Sequence, residues 1–307
     1  MKNTINFYYN IFLDELIKKD NCYYFYYGGD EYYFVPLNRP YDDVQSIYKL
    51  NLEMKKRRCL VHELVLNKDK SIITVVNGIS YVLIKLCKYK NDKVFLNDIN
   101  YIQNMTVNIE CEKSLVRNEW VKLWSEKIDY YEYQISQVGK KYPLLCDSLS
   151  YFIGMGENAI SYLVNNLDSK TNVNLVVSHK RIYQERGSLN FYDPLNFVVD
   201  SRVRDVAEFI KETFYNKTLN LYDLKSYFNM ANLNKNEYIL LLGRLLFPTY
   251  YFDIYDDIIN KGKSEELVVN IIDRTDEYES LLNTIYKFIL YEKKARLEPI
   301  EWLQDKN

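Results

Sequence analysis

Residues 175–214 contain the side chains whose types and spacing point most directly to chemistry. His179 follows a short apolar run, Asp193 ends a second strand-like run, and Asp205 lies twelve positions later in a helical pattern. A carboxylate can bind a divalent cation or orient a hydroxyl group, and transfer of a phosphoryl group requires both functions. Arg181, two positions after His179, carries a guanidinium that stays protonated and cannot take over the role of a carboxylate.

This order of strand, loop, strand and helix resembles the catalytic core of the small-molecule kinase-like fold. In that fold a His-x-Asp motif and a later Asn precede a metal-binding Asp. By this resemblance Arg181 occupies the position of the catalytic Asp, and the position of the Asn falls near Arg186. Residues 175–205 therefore form a degenerate catalytic loop, to which we assign no catalytic residue. The resemblance also implies that His179 packs beneath this loop as a scaffold residue.

The carboxylates of this segment are predicted to differ in role. The interval between Asp193 and Asp205 matches the one that separates the metal-binding Asp of the resembled fold from the Asp that begins the next large helix. Asp193 is therefore a vestigial nucleotide or metal ligand, with weak Mg-ATP binding at most. The alternative, which we favour, is that Asp193-Pro194 simply forms a turn. Asp200 and Asp205 are predicted to be structural, since a carboxylate in the first turn of a helix accepts backbone N–H bonds. By the resemblance, Asp205 braces the loop.

Residues 1–89 are predicted to form an N-terminal lobe built on an antiparallel sheet. After an opening helix, runs of strand-forming residues predict five strands, at residues 22–27, 31–37, 59–66, 71–76 and 79–89. Residues 42–56 predict a helix with Val44, Ile47, Tyr48 and Leu52 on one face. Asn77-Gly78 predicts a type I′ hairpin between the last two strands, and Gly28-Gly29-Asp30 predicts an earlier hairpin turn.

Three features of this lobe could assist phosphate binding, but each has a simpler explanation. Lys85 is the nearest basic candidate, although an exposed strand lysine explains it equally well. Gly28-Gly29 fits a phosphate loop only weakly, because two glycines serve a turn just as well. Glu53 lies on the predicted helix, but the strand that carries a phosphate-binding lysine in the kinase-like fold offers it no lysine partner here.

Residues 90–307 are predicted to form a second, mainly helical lobe. Apolar residues recur at helical spacing at residues 115–135, 150–167, 202–215, 221–229, 235–247, 250–261, 265–272 and 277–295. The predicted fold class is therefore α+β, a two-lobed protein kinase-like fold with an antiparallel-sheet N-lobe and a mainly helical C-lobe.

Composition narrows the functional class. Forty basic and 42 acidic residues give a formal net charge of −2, which argues against a nucleic-acid partner. The most apolar segment is too short to span a bilayer, so we expect no membrane insertion and a cytoplasmic site of synthesis. Five scattered cysteines and two histidines predict no metal site. The 31 tyrosines reflect either AT-rich codons, the explanation we favour, or a tyrosine-rich contact surface that is cross-linked oxidatively in an assembly.

Ordered segments of the predicted C-lobe resemble one family more closely, the YutH-type spore coat proteins, kinase-like relatives of the CotS group in endospore-forming bacteria. The matching segments are residues 120–129, 151–163, 204–208, 244–252 and 276–279. The resemblance implies a role during sporulation, assembly onto the spore coat and other coat proteins as partners. The first hypothesis is thus a catalytically inactive pseudokinase with a structural or interaction role. The alternative is a divergent ATP-dependent phosphotransferase for a small molecule, in which Asp200 or Glu185 replaces the missing base.

Overall fold

The computed structural model describes residues 1–88, 92–168 and 173–304. The chain divides into two compact units, which we describe separately. The first comprises Met1–Arg117 and Leu175–Asp200, and the second comprises Asn118–Asn174 and Ser201–Asn307. The boundaries of these units differ from those of the lobes predicted from sequence. The first unit continues past residue 89 and includes the segment around His179 and Asp193.

The first unit is built on a six-stranded antiparallel sheet, one strand more than the five predicted. Its strands are β1 (Ile17–Lys19), β2 (Cys22–Tyr27), β3 (Asp30–Pro36), β4 (Glu63–Val65), β5 (Ile73–Val76) and β6 (Ile79–Lys85). The order is β1-β2-β3-β6-β4, and β5 pairs with β6 beside β4. Both predicted hairpin turns are confirmed. Gly28-Gly29 and Asn77-Gly78 adopt positive φ angles at both central positions, which type I′ turns require.

One face of this sheet is covered by the N-terminal segment. Helix α1 (Lys2–Tyr9) and the residues after it contribute Ile5, Ile11 and Leu13 to a core that also contains Phe25 and Phe34 of the sheet. Because side chains alternate across a strand, this contact leaves Tyr33 of β3 and Ile84 of β6 on the opposite face.

Helix α2 (Tyr41–Lys56) packs with its apolar stripe inward, and Asn51 lies within that stripe at 1 % exposure. The amide of Asn51 donates to the carbonyl oxygen of His62 at 2.8 Å and accepts from the backbone N–H of Leu64 at 3.2 Å. Leu52, predicted on the apolar face, is 40 % exposed. Helix α2 is therefore joined to the start of β4 by a buried polar side chain as well as by apolar packing.

The first unit is completed by helix α3 (Leu96–Met105), which the sequence patterns did not predict, and by a second, two-stranded sheet. This sheet pairs β7 (Leu175–His179) with β8 (Phe197–Ser201). Between them lie a 3-10 turn (Gln184–Arg186), the short helix α6 (Gly187–Phe191) and a 3-10 turn (Pro194–Asn196).

The second unit is helical. Its helices are α4 (Trp120–Val138), α5 (Pro143–Asn166), α7 (Val203–Tyr215), α8 (Leu221–Ala231), α9 (Lys235–Leu246), α10 (Thr249–Lys261), α11 (Val269–Ile272), α12 (Thr275–Lys287) and α13 (Glu301–Gln304). Stacked aromatic rings join α4 to the region around α10, with Trp124 on Phe247 at 4.3 Å and Tyr131 on Phe252 at 4.5 Å. The predicted helix at residues 265–272 is a 3-10 turn followed by the short α11.

The second unit also buries charge. Glu208 of α7 accepts from the Nε of Arg244 at 2.9 Å, and the buried Lys211 donates to the carbonyl of Phe247 and to the hydroxyl of Thr249. Among the described residues, no helix is both long enough and apolar enough to cross a membrane. The antiparallel sheet and the predominance of helix confirm the predicted α+β class.

Candidate functional site

A cleft of about 460 Å³ lies on the face of the sheet opposite the N-terminal core. The sheet contributes alternate residues of its strands, among them Tyr33, Val35 and Ile84, and the β7–β8 connection contributes the facing wall. The lining side chains are Cys22, Tyr33, Val35, Pro36, Asn38, His62, Ile84, Leu86, Tyr183, Leu189, Asn190, Asp193 and Leu195. The cleft therefore brings Asp193, the vestigial ligand predicted from sequence, onto a largely apolar surface.

Asp193 is held by the turn that follows it. Its Oδ1 accepts from the backbone N–H of Leu195 at 2.9 Å, which caps the 3-10 turn at residues 194–196. Burial raises the pKa of Asp193 to about 6, although the bond from Leu195 and the positive charges of Arg39 and Lys180 act to lower it. The side chain thus performs the turn function, the alternative favoured from sequence, while it also faces the cleft.

His179 is fully buried at the end of β7. Its Nε2 lies 2.7 Å from the carbonyl oxygen of Phe191, and its ring stacks on the ring of Phe191 at 4.4 Å and meets Phe197 edge-on. These contacts tie the two ends of the β7–β8 connection together. The imidazole is placed as part of the packing, and it does not line the cleft.

Arg181 and Asn196 hold the connection internally. The guanidinium of Arg181 donates to the carbonyl of Lys180 at 2.7 Å, and the amide of Asn196 donates to the carbonyls of Arg181 at 2.9 Å and Asn190 at 3.3 Å. Sequence reasoning did not single out Asn196. Its signal was available, because an Asn beside an Asp-Pro turn commonly bonds nearby backbone.

The remaining predicted site residues do not converge on the cleft. Asp200 is fully buried in β8, and Asp205 is 1 % exposed in the first turn of α7, in the second unit. Glu185 forms an ion pair with Lys93 at 2.9 Å, with both side chains about half exposed. Arg186 lies in the 3-10 turn at residues 184–186, but its side chain is outside the described part of the structure.

Lys85, the basic residue of the sheet that was considered for phosphate binding, is also paired with another residue. Lys85 pairs with Asp30 at 2.5 Å, and this bond raises the pKa of Lys85 and lowers that of Asp30. Glu53 pairs with Lys56 and Arg57 of its own helix. Lys85 borders a separate cavity of about 260 Å³ together with Glu63 and Lys88.

The backbone donors at the end of β6 are used within the protein. The amide of Leu86 donates to the carbonyl of Glu31 at 2.9 Å, and the amide of Cys87 donates to Nδ1 of His62 at 3.0 Å. His62 is 2 % exposed, and its own amide donates to the carbonyl of Tyr192. His62 therefore links the rim of the cleft to the segment that carries Asp193, a role that no sequence pattern indicated.

Two basic residues that the sequence analysis did not select, Arg39 and Lys180, act on the carboxylate of Asp193 through their positive charges. Arg39 is 6 % exposed, its Nη2 donates to the carbonyl of Phe197 at 2.9 Å, and its Nε lies 3.8 Å from a carboxylate oxygen of Asp43. Lys180 and Arg117 are half-buried. Burial, together with the charges of Arg39 and Arg117, lowers the pKa of Lys180 to about 8.

Chemically, this arrangement offers one carboxylate of raised pKa, an apolar cleft and the positive charges of Arg39 and Lys180, which act on that carboxylate. Within residues 1–88, 92–168 and 173–304, no three His, Cys, Asp or Glu side chains are grouped so that they could hold a metal ion. A Mg-nucleotide in this cleft would find Asp193 as the one carboxylate among the described lining residues.

Comparison with solved structures defines the fold. An aminoglycoside phosphotransferase from Alicyclobacillus acidocaldarius superposes with a TM-score of 0.66 and 9 % identity, over 92 % of this chain and 94 % of that one. A spectinomycin phosphotransferase, solved with ADP and spectinomycin, gives a TM-score of 0.60 and 9 % identity over 99 % and 95 % of the two chains. At these identities the likeness concerns the kinase-like fold, which confirms the predicted fold.

Sequence comparison identifies the family. The chain is 24 % identical to the endospore coat-associated protein YutH of Bacillus subtilis (strain 168), over 99 % of this chain and 98 % of that protein. The family described as "Spore coat putative kinase YutH" matches residues 2–285. The chain therefore belongs to the YutH family of spore coat proteins, as the ordered segments of its sequence had indicated.

Proposed function

We propose that this protein is a non-catalytic member of the kinase-like fold that acts through binding in the assembly of the endospore coat. The coat role is taken from its family and from the YutH relative, whose name places it at the endospore coat. In this proposal the protein is made in the cytoplasm, and its partners are other coat proteins.

The proposal that the protein is non-catalytic rests on the acidic residues of the β7–β8 connection and of β8. Every one of them that the structure describes is already bonded or buried within the protein. Asp193 caps its own turn, Asp200 is fully buried, and Glu185 is paired with Lys93. Phosphoryl transfer to an alcohol requires a carboxylate that meets the attacking hydroxyl, and metal ions that neutralise the phosphates. Neither function has an assigned residue in the described part of the chain.

Nucleotide binding is weakened by the same internal bonding. A purine base is usually held by a few polar groups at the edge of an otherwise apolar pocket. The amides of Leu86 and Cys87 already donate to Glu31 and His62, so a base at this rim would have to break an existing bond to use them. Lys85 is likewise paired with Asp30.

A divergent phosphotransferase remains the second candidate, and one observation favours it. The cleft of about 460 Å³ is open beside Asp193, and its volume suits a small ligand. This alternative requires a base, for which the sequence offered Asp200 or Glu185. Neither side chain lines the cleft, which makes it the weaker proposal.

The test combines chemistry and location. The purified protein is incubated with Mg-ATP and a panel of amino- and hydroxyl-bearing small molecules, and phosphoryl transfer is followed beside an active aminoglycoside phosphotransferase. We expect no transfer above background. Mg-dependent transfer that Asp193→Ala abolishes would contradict the non-catalytic proposal. In a sporulating host, a C-terminal fluorescent fusion should collect at the coat, and a fusion that stays dispersed would contradict the coat role.

A further inference from the structure

We propose that the cleft beside Asp193 binds a small organic cation, in which a protonated primary amine meets this carboxylate and an apolar body fills the remaining space. This site is separate from the coat role and from phosphoryl transfer, since an amine can bind there whether or not either of them holds. The charge of the cleft, the free oxygen of Asp193 and the cleft volume each point to this class of ligand.

The cleft has a single charged side chain among its described lining residues. Apart from Asp193, its lining consists of apolar side chains, two tyrosines, two asparagines, a cysteine and His62. Nδ1 of His62 accepts the bond from the N–H of Cys87, and an imidazole that uses a ring nitrogen as an acceptor is neutral. The charge of the cleft is therefore negative, and a ligand of complementary charge carries a positive one.

One oxygen of Asp193 is left for a ligand. Oδ1 accepts from the N–H of Leu195 at 2.9 Å, whereas Oδ2 makes no hydrogen bond or ion pair with the residues that the structure describes. The ion pair of Arg39 is with Asp43, and neither Arg39 nor Lys180 is among the described residues that line the cleft. Because Asp193 lines the cleft and is partly exposed, Oδ2 is available for a charge-assisted bond from an ammonium group.

An ammonium group suits this position better than a phosphate does. It carries three N–H donors, so one charge-assisted bond to Oδ2 leaves two donors for neutral acceptors. Asn38 and Asn190 place side-chain amides in the same cleft, and their oxygens are acceptors of this kind. A phosphate would find no lysine or arginine among the described lining residues, and it would meet the like charge of Asp193.

The remaining lining determines the body of the ligand. The apolar side chains come from both walls of the cleft and are Val35, Pro36, Ile84, Leu86, Leu189 and Leu195. At about 30 Å³ per water molecule, a volume of about 460 Å³ corresponds to on the order of fifteen non-hydrogen atoms. A lysine side chain of a partner protein, with four carbons and one nitrogen, would fill about a third of that space. We therefore expect an amine with an aromatic or branched aliphatic body.

The experiment measures thermal unfolding of the intact protein by circular dichroism at neutral pH, in EDTA and at constant ionic strength. The probes share one apolar body and differ in charge: phenylpropylamine, phenylpropanol and phenylpropionate. A ligand that binds only the folded state raises the melting temperature, and the rise grows as its concentration exceeds its dissociation constant. We expect the amine to bind about tenfold or more tightly than the alcohol, as for one charge-assisted bond, and the carboxylate to bind most weakly.

A second amine tests the source of the ammonium group. N-acetyl-lysine methylamide presents the side chain that a partner protein would supply. We expect phenylpropylamine to act at a lower concentration than this lysine derivative, because its body fills more of the apolar cleft. Equal or stronger binding of the lysine derivative would overturn the assignment to a small molecule and would point to a lysine of a partner protein.

Variants assign the effect to the cleft. Asp193→Asn removes the charge, keeps an acceptor for the N–H of Leu195 and should abolish the preference for the amine over the alcohol. Glu185→Gln is the matched control, since it removes a negative charge from the same β7–β8 connection at a residue outside the described lining, and it should leave the preference unchanged. Leu189→Gln, at an exposed part of the wall, should weaken the binding of the amine and of the alcohol alike.

Three results would overturn the proposal. The first is an amine that raises the melting temperature no more than the alcohol does, up to about 10 mM, a concentration that would reveal even weak binding. The second is a larger rise with the carboxylate than with the amine. The third is an Asp193→Asn protein that keeps the wild-type preference. None of these results bears on the non-catalytic proposal, which is tested by phosphoryl transfer in the presence of magnesium.

Discussion

Replacing Asp193 by Asn should stabilise the protein at neutral pH, although it removes the best-placed carboxylate of the cleft. Burial raises the pKa of Asp193 from its ordinary value of 3.8 to about 6. The folded protein therefore holds the proton more tightly than the unfolded chain, and ionisation of Asp193 opposes folding. At 1.36 kcal/mol per pKa unit, the charged form costs about 3 kcal/mol at pH 7.

The sign of the pH dependence follows from the same shift. At about pH 3 and below Asp193 is protonated in both states and contributes almost no penalty. Between about pH 4 and pH 6 the unfolded chain loses the proton first, so the stability of the wild-type protein falls as the pH rises, and above about pH 6 the penalty is constant. Asn is neutral throughout. The variant should match the wild type near pH 3 and exceed it by about 3 kcal/mol at pH 7.

A second substitution separates charge from capping. Asn can still accept the bond from the N–H of Leu195, whereas Asp193→Ala cannot, and loss of a cap of this kind costs about 1 kcal/mol at any pH. Urea unfolding followed by circular dichroism at several pH values measures all three proteins. An Asp193→Asn protein that is no more stable than wild type at pH 7, or a difference that does not change with pH, would refute the reasoning.

Further substitutions test packing and buried polarity by the same unfolding measurement. Asn51→Ala removes both buried bonds that join α2 to β4 and should cost about 2–4 kcal/mol; a loss below about 1 kcal/mol would contradict their importance. Gly243→Ala would place a Cβ in steric overlap with the side chain of Leu163 and should cost about 1–3 kcal/mol, whereas Gly154→Ala, with open space around its Cβ, should gain about 0.5–1 kcal/mol as the helical control. Equal effects of the two would refute the overpacking argument. Glu208→Ala removes the carboxylate that pairs with the buried cations Lys211 and Arg244, and it should cost about 3–5 kcal/mol. A neutral result would show that these cations find other partners.

Elements with a strong local signal could be predicted from the sequence. Asn77-Gly78 demands positive φ angles and identified its hairpin. The helical spacing within residues 115–135 gave Trp120, Leu123, Trp124, Ile128 and Tyr131 as one apolar face; four of them form the buried face of α4, whereas Leu123 is 43 % exposed. The buried face of α2 was only partly predicted. Asn51 is polar, so hydrophobic periodicity omits it, although it lies in the middle of the buried stripe and Leu52 beside it is exposed.

The candidate site was predicted only in part, because its members come together through the tertiary fold. The spacing of Asp193 marked it as a residue of interest, and the structure places it on the cleft wall. Arg39 and Arg117 lie far from Lys180 in the sequence, and no local pattern relates them. Only the hydrogen bonds to Asn196, Phe197 and Val199 bring them to one strand. Residues that reach one strand from three distant segments leave no periodic or spacing signal.

The position of the tryptophans has a practical consequence for spectroscopy. All three, Trp120, Trp124 and Trp302, belong to the second compact unit, and Trp120 and Trp124 are stacked and buried there. The first unit, which carries Asp193 and the cleft, has no tryptophan in its sequence. Excitation at the red edge of the absorption band, where tyrosine is silent, therefore isolates one unit. Tryptophan emission therefore follows the unfolding of the helical unit without any engineered label, whereas tyrosine emission comes from both units.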